Sequence, residues 1–357
     1  MSEHFPAELL TSLPGLLVPW FLRARRDLEW RNDPTPYRVW ISEIMLQQTR
    51  VEAVKPYYDR FLAELPDIAA LAAVDETRLL KLWEGLGYYR RARNLQAAAK
   101  KIVQDFGGIF PDDYDGVRGL PGIGDYTAGA ILSIAFGKPF PAVDGNVLRV
   151  VSRLAASRED IDSPKLRKEL TAALASVYPE GRCSEFTQSL MELGATVCLP
   201  NGAPLCTDCP LAEICLASQR GLMNEIPVRK EKAARPVKKF DVVVLRDTGG
   251  RFAVRRRPET GLLAGLYEFP NLESCNSETA LKTAFRADSL RKAGTARLVF
   301  THVEWDMTLY LAQTTNPPDG FEWVSLASLR SRTAIPSAFR AALKLALDAD
   351  SFPGGQT

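Results

Sequence analysis

The hydrophobic period of this chain changes between Arg220 and Lys239, and that change limits the fold more than any other feature. From Pro6 to about Gln219, apolar residues recur at three- and four-residue spacings, the spacing of helices. Short breaks fall at Asn32-Asp33-Pro34, Leu65-Pro66-Asp67, Gly107-Gly108 and Gly137-Lys138-Pro139. After the change, Asp241 to Arg246, the turn Thr248-Gly249-Gly250 and Arg251 to Arg256 read as strand, turn and strand. Thr295–Phe300 and Trp305–Ala312 read as further strands, Glu278–Ala287 and Ser337–Asp348 as helices. The stretch between is rich in Lys, Arg and Pro, the composition of an exposed linker. The expected organisation is an all-α domain over 1–219, a basic linker over 220–239, an α+β domain over 240–350 and a tail over 351–357. A chain of 357 residues is long enough for two such cores.

Charge excludes little. Lys and Arg exceed Asp and Glu by a formal +2, so the total does not announce nucleic acid. Basic residues do cluster, at Arg23, Arg25, Arg26 and Arg31, at Arg90, Arg91, Arg93, Lys100 and Lys101, and from Arg229 to Lys239. Together these runs permit phosphate contacts. The N-terminus lacks a charged-then-apolar leader and no apolar run reaches membrane-spanning length, so the expectation is a cytoplasmic protein without a membrane partner. His4 and His302 are the only histidines, which excludes histidine-rich zinc chemistry. Four of the six cysteines crowd into 198–215, and in a reducing compartment such a cluster points to a metal; Cys183 and Cys275 read as free thiols.

Four stretches carry candidate chemistry. Gly119-Leu120-Pro121-Gly122-Ile123-Gly124 reads as a helix end and a glycine hairpin, followed by a helix from Tyr126 to Phe136. Free N–H groups at such a helix start can hold an anion such as a DNA phosphate. On the helix from Tyr37 to Thr49, Tyr37, Trp40, Ile41, Ile44 and Met45 form an apolar stripe, and Glu43 and Gln47 share its border. A border glutamate ordinarily points to water. One held against aromatic and aliphatic walls keeps its proton and can serve as a general acid. Asp144, ahead of the plausible helix Gly145–Val151, fits an N-cap and equally a carboxylate facing positive charge. Cys198, Cys206, Cys209 and Cys215 occupy a segment that Pro200, Pro204 and Pro210 keep from becoming helix. Four soft ligands at that spacing fit structural zinc or an iron–sulfur cluster, and spacing does not choose between them.

Trp40 to Thr49, Gly85-Leu86-Gly87-Tyr88-Tyr89, Leu120 to Gly124, Val143-Asp144-Gly145-Asn146 and the cysteine loop resemble the MutY-type adenine DNA glycosylases. These are part of the helix-hairpin-helix superfamily that also contains endonuclease III. The resemblance covers almost the whole chain and implies an all-α helix-hairpin-helix glycosylase domain with a [4Fe–4S] cluster, then an α+β Nudix-like C-terminal domain that helps find 8-oxoguanine. The implied substrate is adenine mispaired with 8-oxoguanine or guanine in duplex DNA, acted on by a monomer at the nucleoid. Carried over by position, Glu43 would protonate N7 of a flipped adenine, and Asp144 would stabilise the oxocarbenium-like sugar. Tyr126 and Asn146 would hold these carboxylates, Trp30 and Arg31 would line the adenine pocket, and Gln188 would help read the base. Gln47 and Gln48 are the helix's two glutamines; Gln48 and Tyr88 would hold the lesion and Thr49 would contact it. Gly122 and Gly124 would anchor the DNA backbone, and the four cysteines would ligate the cluster. Gly261 to Pro270 resembles the entry to a Nudix fold, but Asn271–Phe285 lacks the Arg-Glu and Glu-Glu pairs that hold Mg²⁺ for hydrolysis. Phe300-Thr301-His302 matches the family's Phe-Ser-His lesion loop with threonine for serine.

Three positions depart from the family. The first cysteine gap is one residue longer than usual, which asks for a bulge near Asn201-Gly202. Asp125 puts negative charge at the helix start expected to hold phosphate, and Thr187 stands where asparagine is usual. Two rival functions remain. An endonuclease III-like lyase for oxidised pyrimidines needs a nucleophilic lysine where Tyr126 stands, with Lys138 as the nearby substitute. The other rival is a non-catalytic, metal-stabilised DNA-binding protein.

Overall fold

A computed structural model describes residues 4–230, 234–273 and 277–348; Cys275 and the tail 351–357 lie outside the described residues. The chain divides into two compact units, Met1–Ala73 with Asn94–Lys232, and Val74–Arg93 with Ala233–Thr357. No helix among the described residues is long and apolar enough to cross a membrane.

The first unit is helical. In Ala7–Ala24, Leu10, Leu13, Leu17 and Phe21 recur every three or four residues and are buried. Leu10, Leu13 and Leu17 share one core with Val147, Leu148 and Val151 of the Gly145–Leu154 helix and with Phe186, Leu190 and Leu193 of the Cys183–Thr196 helix. Local signals start the functional helices: Pro36 opens Pro36–Leu46 with Thr35 as its cap, and Pro164 opens Pro164–Ala175 with Ser163 as its cap. The Pro36–Leu46 helix lies against Asp125–Ile134, and Cys183–Thr196 lies against both Asp125–Ile134 and Gly145–Leu154.

Two glycines set how closely these helices approach the segment before and through Asp144. A Cβ on Gly129 would sit 2.2 Å from the carbonyl oxygen of Pro141, and one on Gly194 would sit 2.5 Å from Cβ of Asn146. Neither position has room for a side chain, so 141–146 is held between two helices.

The second unit is α+β. Its strands are β1 (Val237–Asp247), β2 (Phe252–Arg256), β3 (Tyr267–Glu268), β4 (Asn271–Glu273), β5 (Ser289–Val299), β6 (Glu304–Thr314) and β7 (Glu322–Val324). The order is β3-β2-β1-β6-β5, with β4 also paired to β1 and β7 to β2. The β1–β6 pair is parallel, from Val237 opposite Glu304 to Asp247 opposite Thr314. β1 therefore begins inside the stretch read as linker. Val242 to Leu245 are all buried because helices cover both faces of the sheet. Val242 and Val244 share a core with Ala342 and Ala346 of the Arg340–Leu347 helix, while Val243 and Leu245 meet Leu281 and Phe285 of the Glu278–Phe285 helix. A strand covered on both sides reads as a continuous apolar run without alternation. Residues 74–93 belong to this unit and contribute the Glu76–Leu82 helix, capped by Asp75.

Candidate active site

Glu43 lies on the third turn of Pro36–Leu46 and is only 6% exposed. It does not point into bulk water, because the face that carries it turns toward the Asp125–Ile134 helix. Tyr126, in the first turn of that helix, donates its hydroxyl to Glu43 Oε2 at 2.6 Å. Burial pushes the Glu43 carboxyl up to about 7; the Tyr126 bond pulls it down, Asp144 raises it and Arg31 lowers it. Burial likewise drives the Tyr126 hydroxyl well above its ordinary value, so it stays a donor.

Asp144 is both an N-cap and a wall of the same cavity. One carboxyl oxygen accepts from the N–H of Val147 at 2.8 Å, capping Gly145–Leu154, and the other accepts from Asn146 Nδ2 at 2.7 Å. Arg149 donates to Asn146 Oδ1 at 2.9 Å and to the carbonyls of Gly194 and Cys198 at 2.7 and 2.8 Å, which fixes the way the Asn146 amide faces. Burial raises the Asp144 carboxyl, and these donors and Arg149 oppose the rise. Hydrogen bonds from N–H groups favour the ionised form. Two buried carboxyls thus differ in their donors, with more N–H bonds favouring ionisation at Asp144 than at Glu43.

Both line a cavity of about 360 Å³, together with Trp30, Arg31, Gln47, Gln48, Thr49, Tyr126, Asn146 and Gln188. That volume is within the range of small-ligand sites. Trp30 is buried edge-on to Tyr58. Gln47 reaches Thr127 at 3.4 Å and Gln188 reaches Ser184 at 3.2 Å. Gln48 is exposed with a left-handed φ of 57°, an uncommon conformation for a residue with a side chain. One further charged cavity residue, Glu192, escaped the sequence, and Arg26 was read only as part of a basic run. Glu192 is buried and accepts from Arg26 Nε and Nη2 and from Arg31 Nη2, each at 2.8 Å, and its carboxyl is held down to about 2 against the upward pull of its own burial by those arginines. Arg31 also donates to the carbonyl of Arg26, so its guanidinium is held in place before any ligand arrives. The pairs span more than 160 positions, and no local spacing announces them.

The hairpin lies outside the cavity-lining set. Gly122 has φ +79°, and a Cβ there would meet Asn94 at 2.6 Å, so glycine is required. Gly124 is extended and has open space around it. Asp125 accepts from Arg118 at 2.5 Å and from Tyr114 at 3.2 Å, so the charge expected to oppose phosphate is offset by an arginine that also donates to the Ile123 carbonyl. Thr187 does not line the cavity; it links Tyr178 and Ser133 through bonds of 2.8 Å and so ties Cys183–Thr196 to Asp125–Ile134.

In the second unit, Phe300, Thr301 and His302 form the turn between β5 and β6, closed by the bond from Phe300 N to Val303 O. Phe300 rests edge-on against Trp305, while Thr301 and His302 are exposed. Tyr88 is 49% exposed, has φ +48°, and places its hydroxyl 3.3 Å from Oγ1 of Thr301. Helix Glu278–Phe285 carries a single carboxylate, Glu278, in its first turn.

The four cysteines of 198–215 line one small pocket with Val150, Leu154, Leu193, Val197 and Leu211. Gly202, with φ +79°, turns the lengthened first gap. Among the described residues no group of three or more His, Cys, Asp or Glu could hold a single metal ion. The four thiols thus face one apolar pocket, a soft donor set of the kind that holds structural zinc or an iron–sulfur cluster. Arg153 donates to Cys198 Sγ at 3.2 Å, a donor that suits a thiolate.

Comparison with known proteins agrees with this geometry. The family model for HhH-GPD superfamily base excision DNA repair proteins matches residues 41–176, and that for the NUDIX domain matches 241–345. The adenine DNA glycosylase of Mus musculus is 32% identical over 93% of this chain and 78% of its own length. Its counterpart from Buchnera aphidicola of Acyrthosiphon pisum is 36% identical over 74% of this chain and 75% of its own. Among solved structures, a thermostable thymine-DNA glycosylase superposes with TM-score 0.54 at 27% identity, covering 60% of this chain and 98% of that one. An endonuclease III in a non-covalent DNA complex gives 0.52 at 25% identity, covering 61% and 98%.

Proposed function

Because the chain belongs to the adenine DNA glycosylase family, within the HhH-GPD superfamily of base excision DNA repair proteins, we propose that it excises adenine opposite 8-oxoguanine or guanine in duplex DNA. The observation that carries this reading is a buried carboxyl near pH 7 in its titration, bonded by a tyrosine, in one cavity with a second carboxyl held by better donors.

The target adenine must leave the base stack to enter such a cavity. Glu43 delivers its proton to N7, the N-glycosidic bond breaks with its electron pair going to the base, and adenine departs neutral. Positive charge is left on the sugar, and ionised Asp144 faces it; water then adds at the sugar carbon and gives up its proton to the Glu43 carboxylate, leaving an abasic site and restoring the acid. Tyr126 and Asn146 keep the two carboxylates in their roles. Trp30, Arg31 and Gln188 enclose the base, with Glu192 and Arg26 holding Arg31. Gly122 and Gly124 approach the DNA backbone. Gln48, Thr49, Tyr88, Phe300, Thr301 and His302 serve the opposite base, and the strained φ of Gln48 and Tyr88 suits residues that must fill a gap in a duplex. Cys198, Cys206, Cys209 and Cys215 would hold a [4Fe–4S] cluster, which would tie the 198–215 loop to the helices beneath it.

Tyr126 supports hydrolysis over lyase chemistry, since a phenol cannot form a Schiff base. Lys138 pairs with Asp112 at 2.8 Å and is not among the cavity residues. The deciding experiment measures adenine release from defined duplexes, with and without alkali. Glu43→Gln should abolish release from an adenine:8-oxoguanine duplex while binding persists. Unchanged release would remove Glu43 from this role, and efficient borohydride trapping with strand cleavage would favour the lyase.

A further inference from the structure

Residues 74–93 are helical and loop-like, yet they group with the sheet-containing unit, and three charged side chains explain how. Lys81, whose side chain is 11% exposed, donates to the carbonyls of Leu329 and Thr333 at 3.2 Å each and to Glu84 at 2.6 Å. Glu84 accepts from the N–H of Ile335 at 2.8 Å. Arg93 donates to the carbonyl of Ala264 at 2.9 Å and pairs with Glu76 at 2.7 Å. These four bonds to Ala264, Leu329, Thr333 and Ile335 are all made to main chain, so each fixes backbone position regardless of side-chain packing there.

Between these two anchor points lies the turn that carries Tyr88. Gly85 and Gly87 have φ of 106° and 73°, Trp83 Nε1 and Arg91 both donate to the Gly87 carbonyl at 3.1 Å, and the Arg91 guanidinium lies 5.6 Å from the Tyr88 ring. The turn is thus braced within itself, and its position against Thr301 depends on the outer anchors. Tyr88 and Thr301 are separated by more than 200 positions, yet their hydroxyls are within 3.3 Å.

We infer that Lys81, Glu84 and Arg93 are positioning residues for lesion discrimination, clamping the Tyr88 turn to the Phe300–His302 turn so that the two act as one reading surface. The inference rests on the proposed function for its biological meaning and on the main-chain bonds for its structure. None of the three lines the cavity that holds Glu43 and Asp144, so chemistry on an undamaged mispair does not need the clamp.

The test uses the full, cluster-bearing chain. Single-turnover adenine release is measured on adenine:8-oxoguanine and adenine:guanine duplexes for Lys81→Met, Glu84→Ala and Arg93→Met. The expected result is a roughly tenfold fall in the ratio of the two rates, with the adenine:guanine rate within about twofold of the parent, roughly the worth of one buried charge-assisted bond. Glu84→Gln keeps an oxygen for the Ile335 N–H and should restore most of the ratio, as should Lys81→Arg. Amide exchange at Ile335 should quicken in Glu84→Ala. Equal loss on both duplexes, or an unchanged ratio while Ile335 exchanges faster, overturns the inference. If the truncating variants fail to fold, the two conservative variants decide: a wild-type ratio in both supports the clamp and a ratio lost in both refutes it. No adenine release by the parent would sink the proposed function and the reading role together. Ile335 exchange would then still report on the clamp, and unchanged exchange in Glu84→Ala would refute that too.

Discussion

The proposed reaction needs Glu43 protonated and Asp144 ionised within one environment, and pH should reveal both. Glu43 acts while protonated, so single-turnover adenine release should fall as pH rises through about 7. Asp144 acts while ionised, so release should also fall at low pH, from a point above the ordinary carboxylate value because burial raises this group. Tyr126→Phe deletes a bond that lowers the Glu43 carboxyl, and the descending limb should move to higher pH. A limb that stays put would mean Tyr126 does not tune Glu43. Stability carries the same signature. The folded chain keeps a proton on Glu43 that the unfolded chain loses near 4.5, so this contribution is full below that value and gone above about 7. The difference is about 3 kcal/mol. Glu43→Gln should therefore melt higher than the parent at pH 8, where it is inactive, and an equal or lower melting temperature would contradict the buried acid. The sequence shows Glu43 beside its apolar stripe. It does not show which way that border turns, because the answer lies in Tyr126, which is 83 positions away.

At the level of elements, one helix start was legible. Asp144 reads as an N-cap in sequence and caps Gly145–Leu154 in fact; Thr35 and Ser163 cap the helices opened by Pro36 and Pro164, which the spacing of apolar residues did not mark. What spacing cannot show is how near two helices come. Gly129 sits mid-helix, where an alanine would raise helix propensity by about 1 kcal/mol. Its Cβ would instead collide with the Pro141 carbonyl, so Gly129→Ala should destabilise by roughly 1–3 kcal/mol, the cost of overpacking. Gly194→Ala should push Asn146 and cut adenine release more than substrate binding. A gain in melting temperature for either, or a Gly194→Ala enzyme with parental release, would show that the 141–146 segment can move aside without cost. The Arg118–Asp125 pair was equally hidden. An aspartate at a helix start reads as hostile to phosphate until the arginine seven residues earlier is seen to offset it.

At the scale of the molecule, the change of hydrophobic period separates helical from sheet-containing chain, and the cysteine spacing marks one loop. Cys206→Ser should lower bound iron, bleach the visible thiolate-to-iron absorbance and lower the melting temperature; stoichiometric zinc in the parent would contradict the cluster. Deleting Lys239 to Thr357 should cost discrimination between adenine:8-oxoguanine and adenine:guanine more than excision itself, and equal loss on both would argue otherwise. The assignment of residues 74–93 was not legible, because their helical spacing is the same as that of their neighbours and their partners lie some 250 positions later. That placement also bears on how the chain is made. On a ribosome, residues 74–93 emerge early but cannot reach their final bonds until 264–335 have been synthesised, and closing so long a loop is slow to nucleate. The helical core of the first unit can assemble while Lys81, Glu84 and the Tyr88 turn still wait in solvent, so the proposed reading surface is completed only after that core.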